Sequence, residues 1–248
     1  MRIIKTKDNT YTLYSKDFNE YYHNINDGAL NESLKKHVEP AFLYAPKKDS
    51  LTILDICFGL GYNTLSTIYY LYKNNLNKKV HIISPEQDTR LIKSLKDFNY
   101  PKEFSFLKEI IDSISKDFFY ESKNIKIEIK TLDAREVIKS LDKKIDIVFQ
   151  DPFSPKKNPL LWTLEYFKDI SAIIDKEGVL TTYSIATPVR LALHESGFRV
   201  YEKKMDGVRE QTIASKKSLP IKELDMESKK KRSTSKLLRD YMIKDKHG

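Results

Sequence analysis

Five short apolar runs, each followed by a longer stretch of helical period, constrain the fold of this chain more than any other feature. LTILDIC (51–57), KKVHIIS (78–84), IKIEIKT (125–131), IDIVFQ (145–150) and GVLTTYS (178–184) read as strands. Helical patterns follow over 62–73, 88–98, 133–141, 159–174 and 187–197, with further helical material across 101–120. Strands separated by helices make βαβ units, hence an α/β domain with a mostly parallel sheet covered on both faces. RVYEKK and EQTIASK have no helix between them, so one enters antiparallel through a hairpin at Asp206-Gly207. That makes seven strands with an antiparallel edge. Upstream, RIIKT and TYTLY flank a KDN turn as a β-hairpin, and a helix spans about 30–45 after a tyrosine-rich stretch.

The 248 residues divide on this reading into an N-terminal hairpin and pocket-lining extension (1–45), a central α/β domain (46–217) and a C-terminal tail (218–248). With 40% apolar and 32% charged residues the body is globular. No apolar run approaches the roughly 18 residues needed to span a bilayer. The start, MRIIKTKDNT, turns polar too early for a signal peptide, and the expected location is the cytoplasm. The single cysteine, Cys57, excludes an internal disulfide and a cysteine-cluster metal site, so no metal is expected. Residues 216–248 hold 11 Lys and Arg against 5 Asp and Glu, which is +6 of the total +9. Such a tail suits a polyanion such as RNA, or is simply a solvated basic segment. Its weak helical pattern, LLRDYMIK, has little to bury, so loose packing or disorder is expected there.

In an open α/β sheet, ligands bind beyond the carboxyl ends of the strands. Asp55 opens the loop Asp55-Ile56-Cys57-Phe58-Gly59-Leu60-Gly61-Tyr62-Asn63-Thr64, where Gly59 and Gly61 allow a tight turn and close approach of a ligand. A dinucleotide fingerprint wants a third glycine where Thr64 stands. S-adenosyl-L-methionine (SAM) has no pyrophosphate and does not need it. Glu86, after the second strand, is placed to accept ribose hydroxyls, and Asp133-Ala134, after the third, to meet adenine. A helix N-cap accounts for Asp133 equally well. Together the three loops favour SAM over a nicotinamide dinucleotide. No histidine stands near Cys57 in sequence, so a small buried residue is the simpler reading of it than a nucleophile.

The fourth strand ends on Asp151, and FQDPFSPKKNPLLWT (149–163) then supplies three prolines before Trp162. Asp-Pro-Phe resembles the Asp/Asn-Pro-Pro-aromatic loop of amino-methyltransferases. There the side-chain oxygen and a carbonyl beside proline accept a substrate N–H, and the aromatic ring stacks on a base. A proline-stiffened turn capped by Asp151 is the plainer alternative. Lys156 and Lys157 stand at the mouth, suited to phosphates, and Trp162 reads as helix packing.

DPFSPKKNPLLWT is similar to the D-x-F-x-P-x-x-N-P-x-x-W-T signature of MnmC-type tRNA methyltransferases. DICFGLGYNTL resembles that family's acid-x-G-F-G-x-G-x-N loop, with the order Cys57-Phe58-Gly59 as a departure at the aromatic. DFNEYYHNINDGALNES, TYSIATPVRLALHESGFRV and VREQTIA extend the likeness over most of the body. The resemblance implies a Rossmann-like class I SAM-dependent methyltransferase fold. It also implies methylation of the exocyclic amine of 5-aminomethyl-(2-thio)uridine at the tRNA wobble position. Asp151 and Phe153 inherit the catalytic and base-stacking roles. Asp55, Gly59, Gly61, Asn63, Glu86, Asp133, Ala134 and Glu32 inherit cofactor contacts. Tyr21, His23, Lys156, Lys157 and Arg209 fall on the substrate side. A fused oxidase has no room in this length, so a separate oxidase or wobble-uridine modification enzyme is the expected partner. Pro152 stands where the family commonly has Gly or Ala, and the basic tail has no evident counterpart. Rival readings are amino-methylation of adenine or cytosine in nucleic acid, aminopropyl transfer, and non-catalytic RNA binding on a decayed methyltransferase fold.

Overall fold

The computed structural model describes residues 2–142 and 144–243. Two sheets organise them. Strands β1 (Arg2–Lys5), β2 (Tyr11–Ser15) and β3 (Glu20–Tyr21) form a small antiparallel sheet, so the N-terminal hairpin gains a third strand from the tyrosine-rich stretch. The main sheet comprises β4 (Ser50–Ile56), β5 (Lys79–Pro85), β6 (Phe119–Glu121), β7 (Ile125–Lys130), β8 (Ile145–Gln150), β9 (Ile174–Thr182), β10 (Arg199–Lys203) and β11 (Gln211–Ser215). Its order is β10-β11-β9-β8-β4-β5-β7-β6. Strands β9, β8, β4, β5 and β7 are parallel. β11 enters antiparallel to β9, and β10 returns beside it as a hairpin.

The sheet has eight strands rather than seven. The helical reading of 101–120 fails at its end: the helix stops at Asp117 and Phe118 adopts a left-handed conformation, φ 57°. Phe119–Glu121 then pairs antiparallel with β7 through a tight turn in which the Ser122 amide donates to the Ile125 carbonyl. Three consecutive aromatics favour a pleated edge over another helical turn.

β8 follows β7 in the chain but lies on the far side of β4, so the order reverses between β4 and β8. Register places Ile56 opposite Gln150, which brings the loops beginning at Cys57 and Asp151 side by side. Every residue of β8 is buried, as a central parallel strand requires. One helical layer packs the core around Ile53, Ile82 and Phe149, and the other packs around Leu54, Val148 and Phe167.

The helix that begins at Ala29 runs to Tyr44, and across Ser33–Val38 it widens to π-type bonding, with the Glu39 amide donating to the Leu34 carbonyl five residues back. The expectation of a loose tail is corrected. The Leu224 amide donates to the Val200 carbonyl, and Met226 is buried in the second core layer. Helix Met226–Arg232 follows, and Leu237 and Leu238 pack on the same layer. The Leu238 carbonyl accepts the Leu164 amide, and Arg135 clamps Asp240 with two hydrogen bonds of 2.9 and 2.7 Å. The apolar residues of this segment find a ready-made groove that its own composition does not reveal. Among the described residues no helix is long and apolar enough to cross a membrane.

Candidate active site

The loops after β4, β5, β7 and β8 surround a cleft of about 1290 Å³ at the reversal point. That exceeds the roughly 300–1,000 Å³ typical of a single small-molecule site, so two ligands can share it. Gly59, Asn63, Glu86, Asp133, Ala134, Asp151, Phe153, Glu32, Tyr21, His23, Lys157 and Arg209 all line the cleft. Asp55, Gly61 and Lys156 do not.

Each of these three has a physical reason. Asp55 is 1% exposed and lies behind the glycine loop, where its Oδ2 accepts the Thr64 hydroxyl at 2.7 Å. Burial, reinforced by the Asp151 charge, pushes its carboxyl up to about 7 despite the hydrogen bond from Thr64. Gly61 is the left-handed residue that starts helix Tyr62–Lys73, φ 73°, and its free side faces the Phe58 ring. A Cβ there would sit 2.7 Å from that ring. Lys156 is exposed on the turn beyond Ser154.

Glu86 is tied to the loop it faces: Oε2 accepts the Gly59 amide and Oε1 the Asp88 amide, each at 2.9 Å. A carboxylate oxygen accepts more than one bond, so both keep capacity for a hydroxyl pair. Burial raises its carboxyl. Asp133 caps its helix, Oδ1 accepting the Arg135 amide at 2.8 Å, and the residue also lines the cleft. Cys57 also lines the cleft, in a left-handed conformation with φ 66°, and burial beside Glu86 and Asp151 pushes its thiol well up. It stays a thiol at neutral pH.

Asp151 sits at the centre. Its Oδ2 accepts the Asn63 amide at 2.8 Å, and its Oδ1 lies 3.3 Å from Nε2 of the fully buried His37. Burial works to raise the carboxyl, but His37, His23 and Asn63 hold it below the usual carboxylate value. It is ionised at neutral pH. His23 is buried against Tyr62 with Nδ1 3.2 Å from the Thr12 hydroxyl, and burial lowers its pKa, so its ring is neutral there. Glu32 is held by Lys36 at 2.9 Å and by the Asn24 amide at 2.7 Å.

The proline-rich turn is pinned by side chains from elsewhere. The Tyr183 hydroxyl donates to the Pro152 carbonyl at 2.9 Å and the Trp162 indole to the Phe153 carbonyl at 2.8 Å. Glu20 accepts the Ser154 amide at 2.9 Å. Trp162 therefore does more than pack a helix. Phe18 covers one face of the Phe153 ring at 4.4 Å between centroids, and Tyr22 meets the ring edge-on at 5.0 Å. Sequence reasoning missed Phe18, Tyr22, His37 and Tyr183, because their approach to Asp151 and Phe153 is made by distant segments. The aromatic density of residues 18–23 is a sequence signal for Phe18 and Tyr22, and His37 and Tyr183 lie outside it.

Comparison with known proteins agrees with this geometry. Residues 102–218 match the family model described as S-adenosyl-L-methionine-dependent methyltransferase. An uncharacterized protein of Methanocaldococcus jannaschii is 32% identical over 212 residues, 83% of this chain and 56% of the relative. The tRNA 5-methylaminomethyl-2-thiouridine biosynthesis bifunctional protein MnmC of Campylobacter hominis is 28% identical over 76% of this chain and 28% of its own. The chain thus spans little more than half, or less, of the curated relatives it matches. The crystal structure of MNMC2 from Aquifex aeolicus superposes with a TM-score of 0.80 at 34% identity, covering 93% of this chain and 74% of that one. That identity over most of both chains is a likeness of family as well as of fold, and the chain belongs to the MnmC-type SAM-dependent methyltransferases.

Proposed function

We propose that this protein methylates the exocyclic amine of 5-aminomethyl-(2-thio)uridine at the wobble position of tRNA, giving the 5-methylaminomethyl product. The observation that carries the reading is Asp151, an ionised acceptor held by Asn63 on the cleft wall where the β4 and β8 loops meet. Bound SAM supplies an electrophilic methyl group. Glu86 would accept its ribose hydroxyls and Asp133-Ala134 would meet its adenine, with Gly59 and Asn63 on the same cleft wall to hold the rest.

An alkylamine with a pKa near 10 is neutral only about once in 10³ at pH 7, at a cost of roughly 4 kcal/mol. A carboxylate held below its usual pKa is a poor base for such an ammonium. Asp151 instead accepts the remaining N–H, aims the lone pair and offsets positive charge growing on nitrogen. Partial burial beside Phe153 favours the neutral amine. Phe153 with Phe18 forms the base platform, and Tyr21, His23, Lys157 and Arg209 flank it, with Lys156 at the rim for phosphate. In this reading the reaction is cytoplasmic, and a separate oxidase or wobble-uridine modification enzyme supplies the aminomethyl group.

The test is incubation with SAM and tRNA carrying 5-aminomethyl-uridine, followed by nucleoside mass spectrometry. The expected product has one methyl on the exocyclic nitrogen. Methyl groups on adenine or cytosine instead, or on no nucleoside, would overturn the assignment.

A further inference from the structure

His37 stands directly behind Asp151 and takes no part in the cleft lining. The imidazole is 0% exposed. Nδ1 lies 3.2 Å from the Thr181 hydroxyl on β9, and Nε2 lies 3.3 Å from Oδ1 of Asp151, off the line of a full hydrogen bond and with no other partner among the described residues. A buried N–H without a partner costs about 1–3 kcal/mol, so its aim at a carboxylate is not incidental packing. Contacts of this kind are often long without substrate and tighten in the reacting complex. With Nε2 protonated towards the carboxylate, Nδ1 accepts from the Thr181 hydroxyl, which sets the tautomer.

A second, independent observation is the helix that carries it. The π-type segment Ser33–Val38 is rare geometry that is concentrated at functional sites. In a π turn, residues five apart occupy the positions that residues four apart hold in an α-helix. Glu32 and His37, five apart, are thereby brought towards one face, so that one helix lines the cleft with Glu32 and backs Asp151 with His37. A regular α-helix would carry them to different faces.

We propose that His37 is a positioning residue for the transfer: through Nε2 it fixes Oδ1 of Asp151 while Asn63 fixes Oδ2, so that the carboxylate is preset to receive the substrate N–H. The inference rests on the methyltransferase reading for its kinetic consequence but not for the contact itself. With Asn63 donating to Oδ2 and His37 beside Oδ1, each carboxylate oxygen keeps capacity for a further hydrogen bond. Losing one donor lets the carboxylate rotate about χ2, and misplacement by about 1 Å costs on the order of 10² in rate.

The experiment combines a spectroscopic and a kinetic arm. Imidazole nitrogen spectra of the labelled protein should show His37 in the Nε2–H form, with resonances that move in Asp151→Asn. His37→Phe should lose about 10²-fold in kcat, with SAM affinity by calorimetry and KM for tRNA little changed, and His37→Gln, which keeps an N–H, should recover most of the loss. Resonances unmoved by Asp151→Asn, or wild-type kcat in folded His37→Phe, would overturn the proposal. If His37→Phe does not fold, the spectra decide it together with kcat of His37→Gln against His37→Leu. A wild-type protein inactive on the aminomethyl substrate sinks the functional reading instead, and the spectra then decide the contact alone.

Discussion

Two aspartates a few ångströms from the same asparagine, Asp55 buried and Asp151 on the cleft wall, have opposite titration behaviour, and the difference is one of partners. Asp151 is surrounded by His37, His23 and Asn63 and stays ionised, whereas Asp55 has mainly the Thr64 hydroxyl and a raised carboxyl of about 7. Folded Asp55 therefore holds a proton that the unfolded chain releases near pH 4. Its contribution favours folding at low pH and is lost as pH rises from about 4 to 7. Asp55→Asn keeps an acceptor for Thr64 and removes the titration. Melting temperature against pH should be flatter between pH 5 and 8 in Asp55→Asn, which should be the more stable protein at pH 8. A parallel profile would place the proton elsewhere. For Asp151, replacement by Asn preserves the acceptor and removes the charge, so kcat should fall by about 10²-fold with SAM affinity intact. Asp151→Ala should be slower still because orientation is lost as well. Undiminished methylation by Asp151→Ala would reduce the proline-rich stretch to a turn.

The glycine loop and the π-widened helix act as elements rather than as sets of contacts. Gly61 touches no ligand space, yet it sets the start of helix Tyr62–Lys73, which carries Asn63 to Asp151. Valine there combines a left-handed φ, unfavourable by roughly 1–2 kcal/mol for an L-residue, with a collision against Phe58, which does line the cleft. Gly61→Val should lose SAM binding by calorimetry while circular dichroism stays unchanged. Undisturbed affinity would show that the loop tolerates a shifted Phe58. The order and type of the body's elements were legible because burial on both faces imposes near-continuous apolar runs, as in IDIVFQ, whereas β9 begins at Ile174, four residues before the run GVLTTYS and within the stretch read as helix. β6 was not legible, since a three-residue edge strand carries no period of its own and depends on β7 for its hydrogen bonds.

On the scale of the molecule, the C-terminal segment is part of the body. Met226 is 2% exposed, Ile243 is among the residues that line the cleft, and Arg135 clamps Asp240. Removing residues 221–248 takes Met226 and Leu224 out of the second core layer and uncovers the residues they pack on. Burying a side chain of that size contributes about 1.5–3 kcal/mol, and each kcal/mol shifts the melting point of a protein this large by about 2–4 °C. The truncated protein should melt several degrees lower and bind SAM more weakly. A melting curve and affinity equal to the full chain would mean that the segment is a solvated tail after all. Its lysines, on helix Met226–Arg232, meet phosphates as point charges, so tRNA binding should also show a shallower salt dependence after truncation.

The order of strands and helices, the acid that ends each of three strand-to-loop junctions and the Asp151–Trp162 signature belong to the sequence alone, because period and local turn chemistry are properties of neighbours in the chain. The pairing of β4 with β8, which makes those junctions one cleft, follows from a topological rule and was legible to that extent. What surrounds Asp151 was decided only by tertiary structure. His37 reaches it from a helix more than a hundred residues upstream, Phe18 covers Phe153 from the small sheet, and Thr181 orients His37 from β9. The tail likewise docks on a groove formed by distant elements, through Leu238 on Leu164 and Asp240 on Arg135. No local pattern encodes such contacts, since they depend on the relative placement of packed elements rather than on spacing along the chain.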